Sequence, residues 1–337
     1  MHRRWNKKIL NVLMQWNYCD RRRGPAADRA VWHDNIAKLA SSAEVFYYDD
    51  YIADLPELRR KVLQRAEALG PDLIFWPSFT DQFDAATLDE MKRRWATAVW
   101  FGDDTWRFDD YSSKLSPHIT YPLTTDPFCV GKYRRIGVEP ILTQWAGQRF
   151  GPDRPPLPAG ADFKYQVSFV GSRDYSRDWF IWELGKRGIK VECFGGGWPN
   201  GRLPDEDMER VFNSSRINLN LSNSVPRDVR CVLRNPKNVL RYLRGRKAAE
   251  QVKARNFEIP LAGGFQLSNY AIGLDHYLDI GREVAVFTAP DDCAEQIHYF
   301  LANENLRHAV AVAGYTRASR EHTYLARLES VFARIWP

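Results

Sequence analysis

The run Phe169-Val170-Gly171-Ser172-Arg173-Asp174 has the residue types for holding an anion. A strand that enters a glycine turn just before a helix lets backbone amides approach a phosphate, and the helix start adds partial positive charge. Arg173 supplies a guanidinium suited to bidentate pairing with a diphosphate. The plainer alternative is a tight turn whose arginine faces solvent. A second group, Lys253-Ala-Arg255-Asn-Phe-Glu258-Ile-Pro-Leu-Ala-Gly263-Gly264, places two cations, a carboxylate and two glycines within twelve positions. With a helix opening here, Glu258 falls near its first turns, where a carboxylate accepts from two ribose hydroxyls while Lys253 and Arg255 neutralise phosphates. Ordinary helix-end electrostatics, which favours acids in first turns, is the competing explanation.

The elements that must position these groups alternate. In the first half, apolar patterning predicts strands over 9–14, 44–48, 96–101 and 119–124, an apolar run over 71–76, and helices over 30–40, 55–69 and 87–95. The second half repeats the arrangement, with strands over 163–170, 191–194, 217–221, 265–267, 274–280 and 283–287. Its helices fall over 178–186, 204–213, 256–262 and 291–303. Strands alternating with helices imply parallel sheets with crossovers, and ligands of such sheets sit beyond the carboxyl ends of the strands. Between the halves, residues 147–160 hold four prolines and three glycines, a run unable to join a sheet or helix interior. It is the predicted domain boundary.

At 337 residues the chain has the length of two domains. Its 44% hydrophobic and 27% charged residues argue against extensive disorder. No apolar run approaches the roughly 20 residues that span a bilayer. The basic N-terminus leads into too short an apolar stretch for a signal peptide, so a cytoplasmic protein is expected. The five cysteines, Cys19, Cys129, Cys193, Cys231 and Cys293, are dispersed with no CxxC pair and read as reduced thiols. A net charge of +6 suits phosphorylated small substrates as well as nucleic acid.

Taken together, Val170-Gly171-Ser172-Arg173, Asn218-Leu-Asn-Leu-Ser222 and Lys253-x-Arg255-x-Phe257-Glu258-Ile259-Pro260-x-x-Gly263-Gly264 resemble the CgeB-like glycosyltransferases, relatives of the group-1 glycosyltransferases. In the first half, Trp100-Phe-Gly-Asp-Asp-Thr-Trp-Arg-Phe-Asp109, Thr124-Thr-Asp126 and Lys132-Tyr-Arg134 are similar to the family's first domain. The resemblance implies an α/β chain of GT-B fold, two doubly wound Rossmann-like domains facing a central cleft. It assigns residues 1–150 to an acceptor-side domain and 160–315 to a domain binding the nucleotide sugar, with the last helix, 316–337, packing back on the first.

The same resemblance implies a UDP-, GDP- or dTDP-linked sugar as donor substrate, a carbohydrate, protein or lipid-linked acceptor, and no cofactor. Glu258 matches the carboxylate that holds the donor ribose. Glu250 stands eight positions earlier, the spacing of the relatives' paired glutamates, but a glycine-rich loop between them is missing. Gly171, Ser172, Arg173, Lys253, Arg255, Gly263 and Gly264 form the expected diphosphate surroundings. Trp198, after the triplet Gly195-Gly196-Gly197, either stacks on the base or is a structural aromatic. Fixed cations can stabilise the leaving diphosphate without a metal. The one Asp-x-Asp triplet, Asp205-Glu-Asp207, reads better as first-turn acids after Pro204. On the acceptor side, Asp103 or Asp104 is the candidate base, His118 a weaker one, and Asn17 and Tyr18 candidate pocket residues. Capping a turn is the alternative role for the aspartates.

Between residues 227 and 247 the chain carries Arg227, Arg230, Arg234, Lys237, Arg241, Arg244, Arg246 and Lys247 against Asp228 alone. A solvated insertion is one reading; contact with anionic lipid at the membrane periphery, or with a polyanion, is the other. Two rival functions remain beside glycosyl transfer: a sugar-nucleotide epimerase on the same fold, and a non-enzymatic polyanion-binding protein using 227–247. The aromatics fall mostly within apolar strands and helices, so nucleic acid is not the expected partner.

Overall fold

The computed structural model describes residues 2–224, 228–235, 239–240, 243–245, 247 and 249–337. The chain divides into two compact units, one of Met1–Trp145 with Tyr324–Pro337 and one of Ala146–Thr323.

Unit 1 is built on β1 (Trp5–Leu13), β2 (Ala40–Tyr47), β3 (Leu73–Pro77), β4 (Ala96–Phe101), β5 (Tyr121–Thr124) and β6 (Ile141–Leu142), in the order β2-β1-β3-β4-β5-β6. Every pairing is parallel, with Ile9 opposite Leu73 and Leu10 opposite Ile74. Ile9, Leu10, Val12, Leu13 and Leu73–Phe75 are fully buried because helices cover both faces, which is why these strands read as continuous apolar runs. The crossovers are α1 (Asp34–Leu39), α2 (Leu55–Leu69), α3 (Ala85–Arg94), the short α4 (Asp104–Arg107) and α5 (Ser113–Leu115), and α6 (Val130–Arg135). Side chains of Asp54 and Asp84 cap α2 and α3 by accepting from Glu57 N and Thr87 N.

Unit 2 holds β7 (Tyr165–Val170), β8 (Glu192–Phe194), β9 (Ser215–Asn220), β10 (Gln266–Asn269) and β11 (Ala285–Phe287), in the order β11-β10-β9-β7-β8, again with parallel pairings. Its helices include α7 (Tyr175–Lys186), α8 (Asp205–Asn213), α9 (Val229–Arg234), α10 (Arg255–Leu261), α11 (Pro290–Ala302) and α12 (Glu304–Glu321). One core joins Phe169, Trp179, Leu219, Leu267, Phe287 and Ile297.

The structure departs from the sequence expectation in three places. Residues 274–280 form no strand: Gly273 takes φ +89° and starts a tight turn, Leu274–His276, that buries Leu274 and Leu278 without sheet pairing. The proline-rich run packs as part of unit 2. Phe150 N and Gly151 N donate to the Glu209 carboxylate at 2.6 and 3.1 Å, and Asn213 Nδ2 donates to Pro155 O at 3.0 Å. The last helix, expected over 316–337, is divided between two, with α12 running on to Glu321. The chain breaks at His322-Thr323, where Gly147 N takes the His322 carbonyl, and α13 (Tyr324–Ile335) belongs to unit 1. There Tyr324 meets Trp32 at 5.0 Å between ring centroids, and Trp5 Nε1 donates to Trp336 O.

Candidate functional site

In both sheets the chain moves to one side of its first strand and then returns to the other. The switch points lie between β1 and β3 in unit 1 and between β7 and β9 in unit 2. Loops leaving adjacent strands diverge at such points and open a crevice at the carboxyl ends.

In unit 2, the turn after β7 is locked by the loop after β8. Gly171 N donates to Phe194 O at 2.9 Å, Arg173 N to Gly196 O at 2.8 Å, and Trp198 Nε1 to Gly171 O at 2.9 Å. Gly195 has φ +125°, and a Cβ there would collide with the Gly171 carbonyl, so the two backbones touch because Gly195 has no side chain. Trp198 takes part in the packing of the turn: its N–H holds Gly171, and its ring meets Phe169 edge-on at 6.2 Å. Asp174 caps α7, accepting from Ser176 N and Arg177 N, so its own carboxylate takes the first-turn amides expected to hold an anion. Exposed Arg173 lies 5.2 Å over the Trp198 ring and donates from Nε and Nη2 to Asp178 Oδ1.

A residue missed at the sequence level ties the switch point together. Arg177, largely buried in the first turn of α7, donates through Nη1 to Ser172 O at 2.9 Å. Its Nε and Nη2 reach Leu221 O at 3.1 and 2.9 Å, and Nε also reaches Ser222 O at 3.2 Å. Its guanidinium thus spans the loops that leave β7 and β9. Burial lowers the Arg177 pKa, the Arg255 charge acts in the same direction, and Asp174 and Glu250 oppose them. A cation against a helix start opposes the macrodipole, and carbonyls of other loops compensate it. The available signal was its spacing, one helical turn past Arg173.

Glu250 joins this group. Ser224 Oγ donates to its Oε1 at 2.5 Å, and Oε2 is buried with no partner among the described residues. Through Ser222 and Ser224, whose hydroxyls bond at 3.1 Å, Glu250 is linked to the loop that Arg177 holds, although the glycine-rich loop is absent.

The start of α10 completes the arrangement. Lys253 N donates to the buried Asn256 side chain at 2.9 Å. Arg255 Nη1 donates to Glu258 Oε2 at 2.7 Å, and its guanidinium lies 5.0 Å over Phe212. Burial raises the Glu258 carboxyl pKa; Arg255 draws it down, while Asp205 and Glu209 add to the rise. Gly263 and Gly264 are not part of this group. They follow the other end of α10, where a Cβ on Gly263 would strike Arg154 O and one on Gly264 would lie 2.6 Å from Asn218 Nδ2. Their smallness serves packing at the amino end of β10. Of the Asp205-Glu-Asp207 triplet, Glu206 and Asp207 pair with Arg210, and Glu206 also with Arg154.

In unit 1, Tyr18 and Cys19 both take φ +56° after β1, an uncommon pair of left-handed non-glycine residues. Tyr18 is 64% exposed, lies 6.0 Å edge-on to Phe79 after β3, and has the Arg23 guanidinium 4.9 Å over its ring. An aromatic face therefore crosses this switch point. Asn17 is spent on the loop itself, donating from Nδ2 to Pro25 O. Asp104 is 1% exposed and accepts from Tyr133 Oη at 2.9 Å. Burial pushes its carboxyl up to about 6, against hydrogen bonds from Ser112, Thr124 and Tyr133. Enclosed in this way, it anchors α4 to α6 and is a poor base for an external hydroxyl. Asp103, half-buried, starts α4, its carbonyl accepting from Trp106 N and Arg107 N. His118 precedes β5, at the amino end of the sheet, and bonds Asp89 at 2.7 Å; strand direction removes it from the carboxyl-end crevice.

The fold defines the class: the chain has the GT-B architecture. It matches sucrose-phosphate synthase from Thermosynechococcus elongatus at TM-score 0.66 and 9% identity, over 98% of this chain and 99% of that one. HepE of Anabaena, in a complex with UDP and glucose, matches at TM-score 0.64 and 12% identity, over 98% and 99%. A protein designated a UDP-N-acetylglucosamine 2-epimerase from Listeria monocytogenes matches at TM-score 0.53 and 11% identity, over 98% of each chain. Residues 177–333 match the family model described as glycosyl transferase-like, a range that covers most of unit 2 and most of α13. No curated protein matches the chain.

Proposed function

We propose that the protein moves a sugar from a nucleoside-diphosphate sugar to a hydroxyl-bearing acceptor, with unit 2 holding the donor. The observation that carries this reading is a set of bonds at the carboxyl end of the unit 2 sheet: Arg255 donates to Glu258, and Arg177 holds the loop after β9, where Ser222 bonds Ser224 and Ser224 donates to Glu250. In this reading Glu258 accepts from the ribose hydroxyls. Arg173, Lys253 and Arg255 meet the charge that grows on the diphosphate as the anomeric bond breaks, without a metal ion. Arg173 and Arg255 each exchange a carboxylate partner for the more highly charged diphosphate. Glu250, with its buried unpartnered oxygen, faces the transferred sugar, and Ser224 orients it. The acceptor belongs to unit 1, where Tyr18 offers an apolar ring face and Asp103 a carboxylate at a strand end. HepE's complex with UDP and glucose supports a UDP-linked sugar as the first donor to try.

Thermal unfolding against UDP, GDP, dTDP, CDP and ADP tests the reading. A ligand at about 100 times its Kd adds roughly 2.7 kcal/mol. One selective upward shift is expected, and no shift from any of the five at saturation contradicts a nucleotide site. Conversion of the nucleotide sugar with no release of nucleoside diphosphate would favour the epimerase, whose fold is shared.

A further inference from the structure

In the basic run 227–247, Arg227, Lys237, Arg241 and Arg246 lie outside the described residues, and Arg230 and Arg234 are paired with Asp228, Asp291 and Asp178. Cations with less compensation meet elsewhere in unit 2, at the end of the sheet where the strands begin. Arg216 is the second residue of β9, and Arg307 and His308 lie in the first turns of α12. With Pro156, Pro158 and Phe163 they line a cleft of about 280 Å³ that opens to solvent, in which the room for a water-sized centre is about 10 Å³. Both guanidiniums lie against one ring, the Arg216 and Arg307 carbons being 5.7 and 5.5 Å from the Phe163 centroid. Arg307 is 3% exposed, and its Nη1 and Nη2 donate to Phe300 O and Glu304 Oε1, each at 2.9 Å. The Arg216 guanidinium makes no hydrogen bond among the described residues. Its Nε is buried without a partner, and the carboxylate within reach, the same Glu304 Oε1, is 4.0 Å from its Nη1. His308 Nδ1 is likewise buried without a partner among the described residues.

One carboxylate therefore stands against two guanidiniums. The Gly160 amide, Arg307 and Arg216 hold the Glu304 carboxyl below its ordinary pKa, so it is ionised, yet its hydrogen bond goes to Arg307. Burial and the Arg216 charge lower the Arg307 pKa against the pull of Glu304. Cations in the first turns of α12 also oppose its macrodipole. A guanidinium with no hydrogen bond, an orphaned imidazole nitrogen and a surplus positive charge together call for an anion with several acceptor oxygens. A carboxylate brings two oxygens and one charge. A phosphoryl group brings three oxygens and up to two charges, enough for the Arg216 fork and His308 at once, with the buried Arg307 charge behind them. The floor of the cleft has room for one such oxygen, and the rest of the group stays in the open part. We propose that the cleft formed by Arg216, Arg307 and His308 binds the phosphoryl group of a small molecule. It lies at the amino end of the sheet, whereas the donor crevice is at the carboxyl end, so its ligand is not the sugar donor and the inference stands apart from that assignment.

Calorimetric titration of the full chain with inorganic phosphate and with glucose 6-phosphate, at constant ionic strength, tests it. Arg216→Gln should weaken binding by about tenfold or more. Glu304→Gln should tighten it by about threefold or more, because the competing carboxylate is gone. A purely structural arginine would not give this opposed pair of changes. The Arg216 guanidinium makes no hydrogen bond to lose, so an unchanged melting midpoint in phosphate-free buffer verifies that its variant folds. Tighter binding of the sugar phosphate assigns the site to a phosphate ester; tighter or equal binding of phosphate assigns it to the free ion. The proposal is overturned if neither probe binds at about 10 mM, or if binding survives Arg216→Gln undiminished. It is equally overturned if Arg173→Ala abolishes binding while Arg216→Gln spares it, since the anion would then sit at the carboxyl end of the sheet.

Discussion

Arg177 and Leu221 are joined by two hydrogen bonds, Nε and Nη2 of one guanidinium to one carbonyl oxygen at 3.1 and 2.9 Å. The pair fastens the loop after β9 to the first turn of α7. Charge-assisted bonds of this kind are individually strong, and removing the donor leaves three carbonyls under-satisfied. Arg177→Ala should therefore cost on the order of 3–5 kcal/mol. Arg177→Lys should recover little, because an ammonium is a point charge and does not reproduce the planar fork. Urea midpoints check this; a loss below about 0.5 kcal/mol would show that the bridge holds nothing.

The glycine triplet offers an internal control. Gly195→Ala places a Cβ against the Gly171 carbonyl at φ +125°, whereas a Cβ on Gly196 meets nothing within 4 Å. The first substitution should destabilise unit 2 by about 2–3 kcal/mol and loosen the turn; the second should stay within about 0.5 kcal/mol. Equal effects at the two positions would contradict the packing described.

Asp104 gives unit 1 a pH signature. Its carboxyl rises from the ordinary 3.8 to about 6, chiefly through burial. Between those values the folded protein binds a proton that the unfolded chain has released, so this group's contribution to stability falls as pH rises through that window. Asp104→Asn keeps an acceptor for Tyr133 Oη and removes the titration. Relative to wild type, the variant should gain up to about 2–3 kcal/mol from pH 4 to pH 7. Parallel stability curves for the two proteins would contradict the assignment.

Leu328 in α13 is fully buried within unit 1. Leu328→Ala should cost about 2–5 kcal/mol in the unfolding of that unit. Little change would mean that the last helix contributes nothing to its core.

Much of the architecture was legible because buried parallel strands announce themselves. Leu73–Phe75 and Val167–Val170 are runs that only a two-faced cover explains. The start of α2 at Leu55, behind the capping Asp54, was read correctly, whereas α3 begins at Ala85 behind Asp84, ahead of the expected Thr87. The apolar residues of 274–280 misled because burial of Leu274 and Leu278 looks the same in a turn as in a strand. Candidate site residues were harder. Glu258 and Arg255 carry their signal in one short segment, but Gly263 and Gly264, grouped with them by proximity in sequence, lie at the other end of α10. Spacing does not reveal that Gly264 is small to admit Asn218, or that Trp198 spends its N–H on Gly171. Arg177 escaped notice because its partners are backbone carbonyls, which leave no trace in residue types. His118 and Asp104 show the converse: side chains of reactive type of which one lies at the amino end of its sheet and the other is buried.

The central claim is that the carboxyl end of the unit 2 sheet holds a nucleoside diphosphate through Glu258. Its most direct test is calorimetric titration, with a chelator present, of the nucleotide selected by thermal shift into wild type and Glu258→Ala. A loss of affinity of about tenfold or more, near 1.4 kcal/mol, is predicted for the variant, with its melting midpoint preserved in the absence of ligand. Equal affinity in the two proteins would contradict the site.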